Sequence, residues 1–227
     1  MADTAVKIKI CGLMRVEDVQ TCRQLGVDML GFVVDYPLPV PWSLNRAEAK
    51  ALMEQAAPCQ TCIVTGGPAE QVIALAKALK PDFIQLHYRE TLADTVAIVQ
   101  ALAPLGIGVI KTLPLTEDEQ IHQLGTTDVD EIVAALCSSG ISAILVDTRS
   151  PENAHRPGMV LDTAMARLVQ EQSTVPVVIA GGIIGNNVRE LLRQTGATFI
   201  DVMTGVEDRP GVKNRNKIAH IIEQAHL

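Results

Sequence analysis

A thiol, two carboxylates, a lysine and an imidazole stand at the ends of short apolar runs in this chain. Cys11 closes Val6-Lys7-Ile8-Lys9-Ile10-Cys11-Gly12, where Ile8 and Ile10 alternate with Lys7 and Lys9 as on a strand with one buried face. A thiolate there can act as base or nucleophile, whereas a buried thiol is only a small hydrophobe. Taken alone, the position favours the inert thiol. Asp147 follows Ala143-Ile144-Leu145-Val146, and a carboxylate held at the end of a buried strand is costly unless paired, protonated or working. Asp201, within Phe199–Val202, is similar, although a structural role fits it as well. Lys111 ends a strand that begins at Gly108; desolvation would suit it to a Schiff base, while pairing with a carboxylate is the commoner fate. Gln85 and His87 end another strand, and His87 has no second ligand at metal-binding spacing. Ala180-Gly181-Gly182 and Thr204-Gly205 supply glycines whose backbone N–H groups can approach a phosphate.

Elements that could bring these groups together alternate along the chain. Strands are expected at Val6–Gly12, Asp28–Val34, Thr61–Thr65, Phe83–His87, Gly108–Thr112, Ala143–Thr148, Val175–Gly181 and Phe199–Thr204. Between them, apolar residues recur at three- and four-residue spacing, predicting helices over Glu17–Leu25, Arg46–Gln55, Ala69–Leu79, Leu92–Leu102, Val129–Leu136, Leu161–Gln170 and Asn187–Arg193. A last helix runs from about Asn216 to Ala225, and Gly125–Asp128 leaves room for a short extra helix before Val129. Eight β-α repeats predict a closed (βα)8 barrel, a single domain over residues 1–227, with a doubly wound open sheet as the fallback. The proline-rich Asp35–Ser43 and the charged Thr148–Pro157 both follow strands, on the end of a β/α barrel that carries function. There Cys11, Gln85, His87, Lys111, Asp147 and Asp201 are expected to converge, with the phosphate loops after strands seven and eight.

Composition narrows the partners. A net charge of −7 argues against nucleic acid or an anionic membrane, without forbidding an anionic substrate at a local site. No signal peptide or long apolar run is visible, so the chain reads as cytoplasmic, and as monomer or homodimer. The five cysteines lack framework spacing and are expected reduced. Cys59-Gln-Thr-Cys62 has no partner motif for zinc, and Cys62 reads as strand core.

Several blocks together resemble the phosphoribosylanthranilate isomerase family of tryptophan biosynthesis. They are Lys9-Ile10-Cys11-Gly12-Leu13, Gly31-Phe32-Val33, Gln85-Leu86-His87, Val109-Ile110-Lys111, Asp147, Ile179-Ala180-Gly181-Gly182-Ile183, Asp201–Glu207 and Pro210-Gly211-Val212-Lys213, running from Lys9 to Ile218. The resemblance implies a (βα)8 barrel and an Amadori rearrangement of a phosphorylated ribosyl amine. It makes Asp147 the acid that opens the sugar ring and Cys11 the base that takes the C2 proton. It rests the phosphate on Gly181, Gly182, Thr204 and Gly205, and needs no metal or organic cofactor.

The sequence departs from the family on the side that would meet the aglycone. The family's carboxylate-clamping arginine after strand two is absent from Leu38-Pro39-Val40-Pro41-Trp42-Ser43, and Arg46 belongs to the next helix. Its Gly-Gly-Thr-Gly segment is replaced by Asn153-Ala154-His155-Arg156-Pro157-Gly158, which makes Arg156 a candidate substitute clamp. The alternatives are a diverged relative acting on, or only binding, another phosphorylated sugar, and a lyase using Lys111.

Overall fold

The computed structural model describes residues 5–148 and 160–227. Eight parallel strands, Lys7–Ile10 (β1), Met29–Val34 (β2), Gln60–Thr65 (β3), Phe83–Leu86 (β4), Gly108–Thr112 (β5), Ala143–Val146 (β6), Val177–Ala180 (β7) and Phe199–Val202 (β8), form the barrel. Each pairs with its sequence neighbours, and β1 closes the ring by pairing with both β2 and β8. The expected closed barrel is therefore what forms, and the open sheet is not. Where the expected strands ran on to Cys11, His87, Asp147 and Gly181, the ladder stops just short of those residues. Cys11 and His87 keep one backbone bond each to the neighbouring strand, from Cys11 N–H to Val202 O (3.0 Å) and from His87 N–H to Thr65 O (3.1 Å).

Helices Val16–Gln24 (α1), Arg46–Met53 (α2), Ala69–Leu79 (α3) and Leu92–Leu102 (α4) wrap the first half of the ring. Asn45 and Glu48 form a reciprocal capping box on α2, and Thr91 and Asp94 form another on α4. The extra helix exists, as Glu117–Leu124 (α5), capped by the Thr116 hydroxyl and ended by Gly125. Val129–Ser138 (α6), Thr163–Gln172 (α7), Val188–Thr195 (α8) and Arg215–Ala225 (α9) complete the outer layer. No helix among the described residues is long and apolar enough to cross a membrane.

Period-two alternation sorts each strand between two buried layers. Ile8 and Ile10 face outward into the main core against the helices. Met29, Cys62, Ile110, Leu145 and Val178 belong to a separate cluster that fills the barrel interior. The lysine between Ile8 and Ile10 is thus not on a solvent face, as a one-sided strand would require. Lys9 is 0 % exposed and points into the barrel. The register sets it beside Asp201 on β8, and its Nζ lies 2.5 Å from Asp201 Oδ2 and 2.9 Å from Gln85 Oε1. Burial by itself would push the ammonium down, but the Asp201 carboxylate and the nearby thiols outweigh it and hold Lys9 above its ordinary value. The cation stays charged because its partner is built into the next strand.

Removing that partner should leave an uncompensated buried charge. Asp201→Ala is expected to lower the unfolding free energy by about 3–5 kcal/mol, read from the urea midpoint. Lys9→Met with Asp201→Leu removes both charges and should recover most of the loss. An unchanged midpoint for Asp201→Ala would show that the pair does not hold the barrel together.

Candidate active site

A cleft opens at the C-terminal ends of the strands. One wall is apolar, built from Val33, Tyr36, Val40, Trp42, Val64 and Met203. Trp42 belongs to the proline-rich stretch after β2, and the short strand Ser43–Leu44 pairs beside Val33 and Val34 to hold that stretch over the barrel. The indole Nε1–H donates to Glu207 Oε1 at 2.9 Å, which also accepts from Lys213 Nζ at 2.8 Å and from Gly211 N–H at 3.1 Å. One carboxylate thus anchors an aromatic wall from the opposite side of the mouth. Tyr36 is fixed too, its hydroxyl donating to the His87 carbonyl at 2.8 Å.

The other wall is polar. From Lys9, hydrogen bonds continue through Gln85, whose Nε2 lies 3.1 Å from His87 Nδ1. His87 Nε2 is 3.8 Å from Asp147 Oδ2. Asp147 is buried at the end of β6, as its apolar strand implies. Asp201 lines the cleft as well, and its Oδ1 is buried without a hydrogen-bond partner, leaving an acceptor for a ligand hydroxyl.

Cys11 sits where the two walls meet, against Trp42, Val33 and Val64. Gly31 makes room for it, since a Cβ there would lie 2.7 Å from Cys11 Sγ. Burial pushes the thiol up, Lys9 and Lys213 pull it back, and the net direction is upward. The cleft walls thus favour the thiol over the thiolate, the reverse of what a base near neutral pH requires. A cation brought into the cleft would move it the other way.

The loops after β7 and β8 close the cleft floor. Gly181 and Gly182 both take positive φ, 93° and 65°. A Cβ on Gly181 would collide with the Thr148 side chain, and one on Gly205 with the Ile183 carbonyl. At Gly205 the two loops pack backbone against backbone, which only glycine allows. Asn187 clamps the first of them, donating to Gly182 O and accepting from Ile184 N–H. Among the described residues lining the cleft there is no lysine or arginine side chain, so an anion there meets backbone N–H groups.

Of the expected site residues, Cys11, Gln85, His87, Asp147, Asp201, Gly181, Gly182, Thr204 and Gly205 converge on this cleft. Lys111 does not. Gln85 is level with Ile110 in the register, so Lys111 has the opposite parity and projects outward between strands and helices. There its Nζ meets Glu90 Oε2 at 3.2 Å and Gln123 Oε1 at 2.8 Å. Burial pushes this ammonium down against the pull of Glu90, but it does not line this cleft, so it is not placed to form a Schiff base there. Arg156 lies outside the described residues. Arg46 belongs to α2, as expected, and pairs with Asp35 on the surface at 2.6 Å. Cys62 is barrel core, its thiol pushed up to about 12 by burial. No metal-binding cluster of His, Cys, Asp or Glu exists among the described residues. Sequence reasoning missed Lys9, Trp42, Glu207 and Lys213. The lysine-isoleucine alternation on β1 pointed to Lys9, provided both faces of the strand are taken as buried.

Comparison with known proteins places this architecture. The family model described as N-(5'phosphoribosyl)anthranilate (PRA) isomerase matches residues 8–224. A relative of that name from Methanopyrus kandleri is 31% identical over 218 residues, covering 96% of this chain and 97% of its own. Another from Methanocaldococcus jannaschii is 30% identical over 228 residues, covering 98% of each. The crystal structure of phosphoribosyl anthranilate isomerase from Thermotoga maritima superposes with a TM-score of 0.78 at 25% identity, covering 97% of this chain and 98% of that one. The match extends from the closing strand β1 through α9, and the chain belongs to the N-(5'-phosphoribosyl)anthranilate isomerase family.

Proposed function

We propose that the protein converts N-(5-phosphoribosyl)anthranilate to 1-(2-carboxyphenylamino)-1-deoxyribulose 5-phosphate in tryptophan biosynthesis, working in the cytoplasm. The observation that carries this reading is the placing of Cys11 and Asp147 on one cleft, above a glycine floor, in a family of that activity. An enzyme acting on a different phosphorylated sugar, or a binding-only relative, is not favoured by these findings.

The phosphate rests on the backbone at Gly181, Gly182, Thr204 and Gly205, and the aromatic ring lies along Trp42 and Val40. Asp147 gives its proton to the ring oxygen as the C1–O bond breaks, and the nitrogen lone pair forms the C1=N iminium. Cys11 as thiolate then removes the C2 proton. The C2–H electrons become the C1=C2 bond, and the C=N pair returns to nitrogen. The enolamine loses its C2 hydroxyl proton and gains one at C1, leaving the ketone. The iminium cation lies one bond from C2, so it both acidifies that C–H and favours the thiolate over the thiol. A thiol held high by burial is thereby turned into a base when the intermediate forms. Asp201 Oδ1 accepts a sugar hydroxyl beside the Lys9 ammonium.

Loss of phosphoribosylanthranilate fluorescence measures turnover by the purified protein. Cys11→Ala and Asp147→Asn should each lower kcat by about a hundredfold to ten-thousandfold, the span that positioned proton transfer contributes. Undiminished turnover in both variants, or none in the wild type, contradicts the assignment. Cys11 of the free protein should react with iodoacetamide at a rate that keeps climbing with pH beyond the point where an ordinary thiol levels off, because its thiolate forms only at higher pH. Peptide mass spectrometry reads the rate, and a profile flat from neutral pH upward would show a thiolate already present.

A further inference from the structure

The polar wall of the cleft is a continuous chain of groups, Asp201, Lys9, Gln85, His87 and Asp147. Its first member settles the orientation of the rest. Lys9 Nζ carries only donors, so the Gln85 atom 2.9 Å from it is the carbonyl Oε1, and the amide cannot be turned over. The Gln85 nitrogen therefore faces His87 Nδ1 at 3.1 Å and donates to it. A ring nitrogen that accepts carries no proton, so this contact selects against the Nδ1–H tautomer and the imidazolium. Gln85 is only 2 % exposed, so water does not compete for the contact.

We propose that Gln85 is a positioning residue which locks His87 as the neutral imidazole protonated on Nε2, with that N–H aimed at Asp147. The value of the lock follows from the role assigned to Asp147 above, on which this inference rests. An imidazolium beside Asp147 would hold the carboxyl ionised and deprive it of the proton it must give. A neutral Nε2–H leaves that proton available. Once the proton has passed to the sugar ring oxygen, the same N–H donates to the carboxylate left behind. The present 3.8 Å separation is longer than a hydrogen bond and closes as charge appears on Asp147. His87 keeps its own proton throughout, and no proton crosses Gln85.

Nuclear magnetic resonance of the full chain labelled with [15N]histidine reads the tautomer directly, with His87→Asn assigning the signal. At pH 7 the His87 Nδ1 is expected at the shift of an unprotonated nitrogen and Nε2 at that of a protonated one. A proton on Nδ1, or on both nitrogens, overturns the proposal. This spectrum needs no substrate, so it stands or falls apart from the isomerase reading. Gln85→Glu puts an acceptor opposite Nδ1 at nearly constant volume, and is expected to protonate Nδ1 and lower kcat about a hundredfold with KM little changed. A wild-type nitrogen pattern in Gln85→Glu, or a protonated Nδ1 with undiminished kcat, also overturns it.

Discussion

An ammonium buried at the centre of a closed barrel dictates much of the remaining arrangement. Lys9 has no solvent, so the carboxylate that offsets it has to come from the protein, and closure of β1 on β8 delivers Asp201. The cost of desolvating both ions is large and their mutual attraction returns much of it. The pair is therefore better explained by what it orients than by net stability. It fixes one end of Gln85, raises the local positive potential beside Cys11, and ties the strand that carries the thiol to the strand that leads into the floor.

Two further constraints shape the mouth around that centre. The loops after β7 and β8 meet at Gly205 against the Ile183 carbonyl, and Thr148 crowds Gly181, so side chains are excluded at both glycines, and no basic side chain stands among the cleft's described lining. Across from them, Glu207 gathers an indole, an ammonium and a backbone amide, and so makes the C-terminal part of the chain hold a wall contributed by residue 42. The cleft thereby has a glycine-backed end and an aromatic end of different chemistry. Cys11 and Asp147 line the same cleft.

The barrel was legible because both faces of each strand are apolar and the intervening helices carry clean three- and four-residue spacing. α3 and α4 begin and end where their periodicity places them. The lining of the cleft was legible wherever a residue stands at a strand end with inward parity, as Cys11 and Asp147 do. Parity is also where the reading failed. Lys111 stands at a strand end with outward parity, and only the register against Gln85 and Leu86 distinguishes the two cases. Lys9 was read as a polar face because alternation with isoleucine looks the same whether the lysine meets water or a buried carboxylate 192 positions away. The Trp42–Glu207 contact spans 165 residues and leaves no local pattern at either end. The raised thiol of Cys11 was equally hidden, since desolvation is a property of the assembled walls.

The central claim is that one cleft holds the phosphate on glycine backbone while Cys11 faces C2 of the sugar. A crystal structure with a stable product analogue, in which C2 bears a hydroxyl in place of the ketone, tests it most directly. The account predicts the phosphate at Gly181, Gly182, Thr204 and Gly205, with Cys11 Sγ about 3–3.5 Å from C2 and Asp147 on the oxygen that leaves C1. A phosphate seated elsewhere, or C2 beyond reach of Cys11, would contradict it.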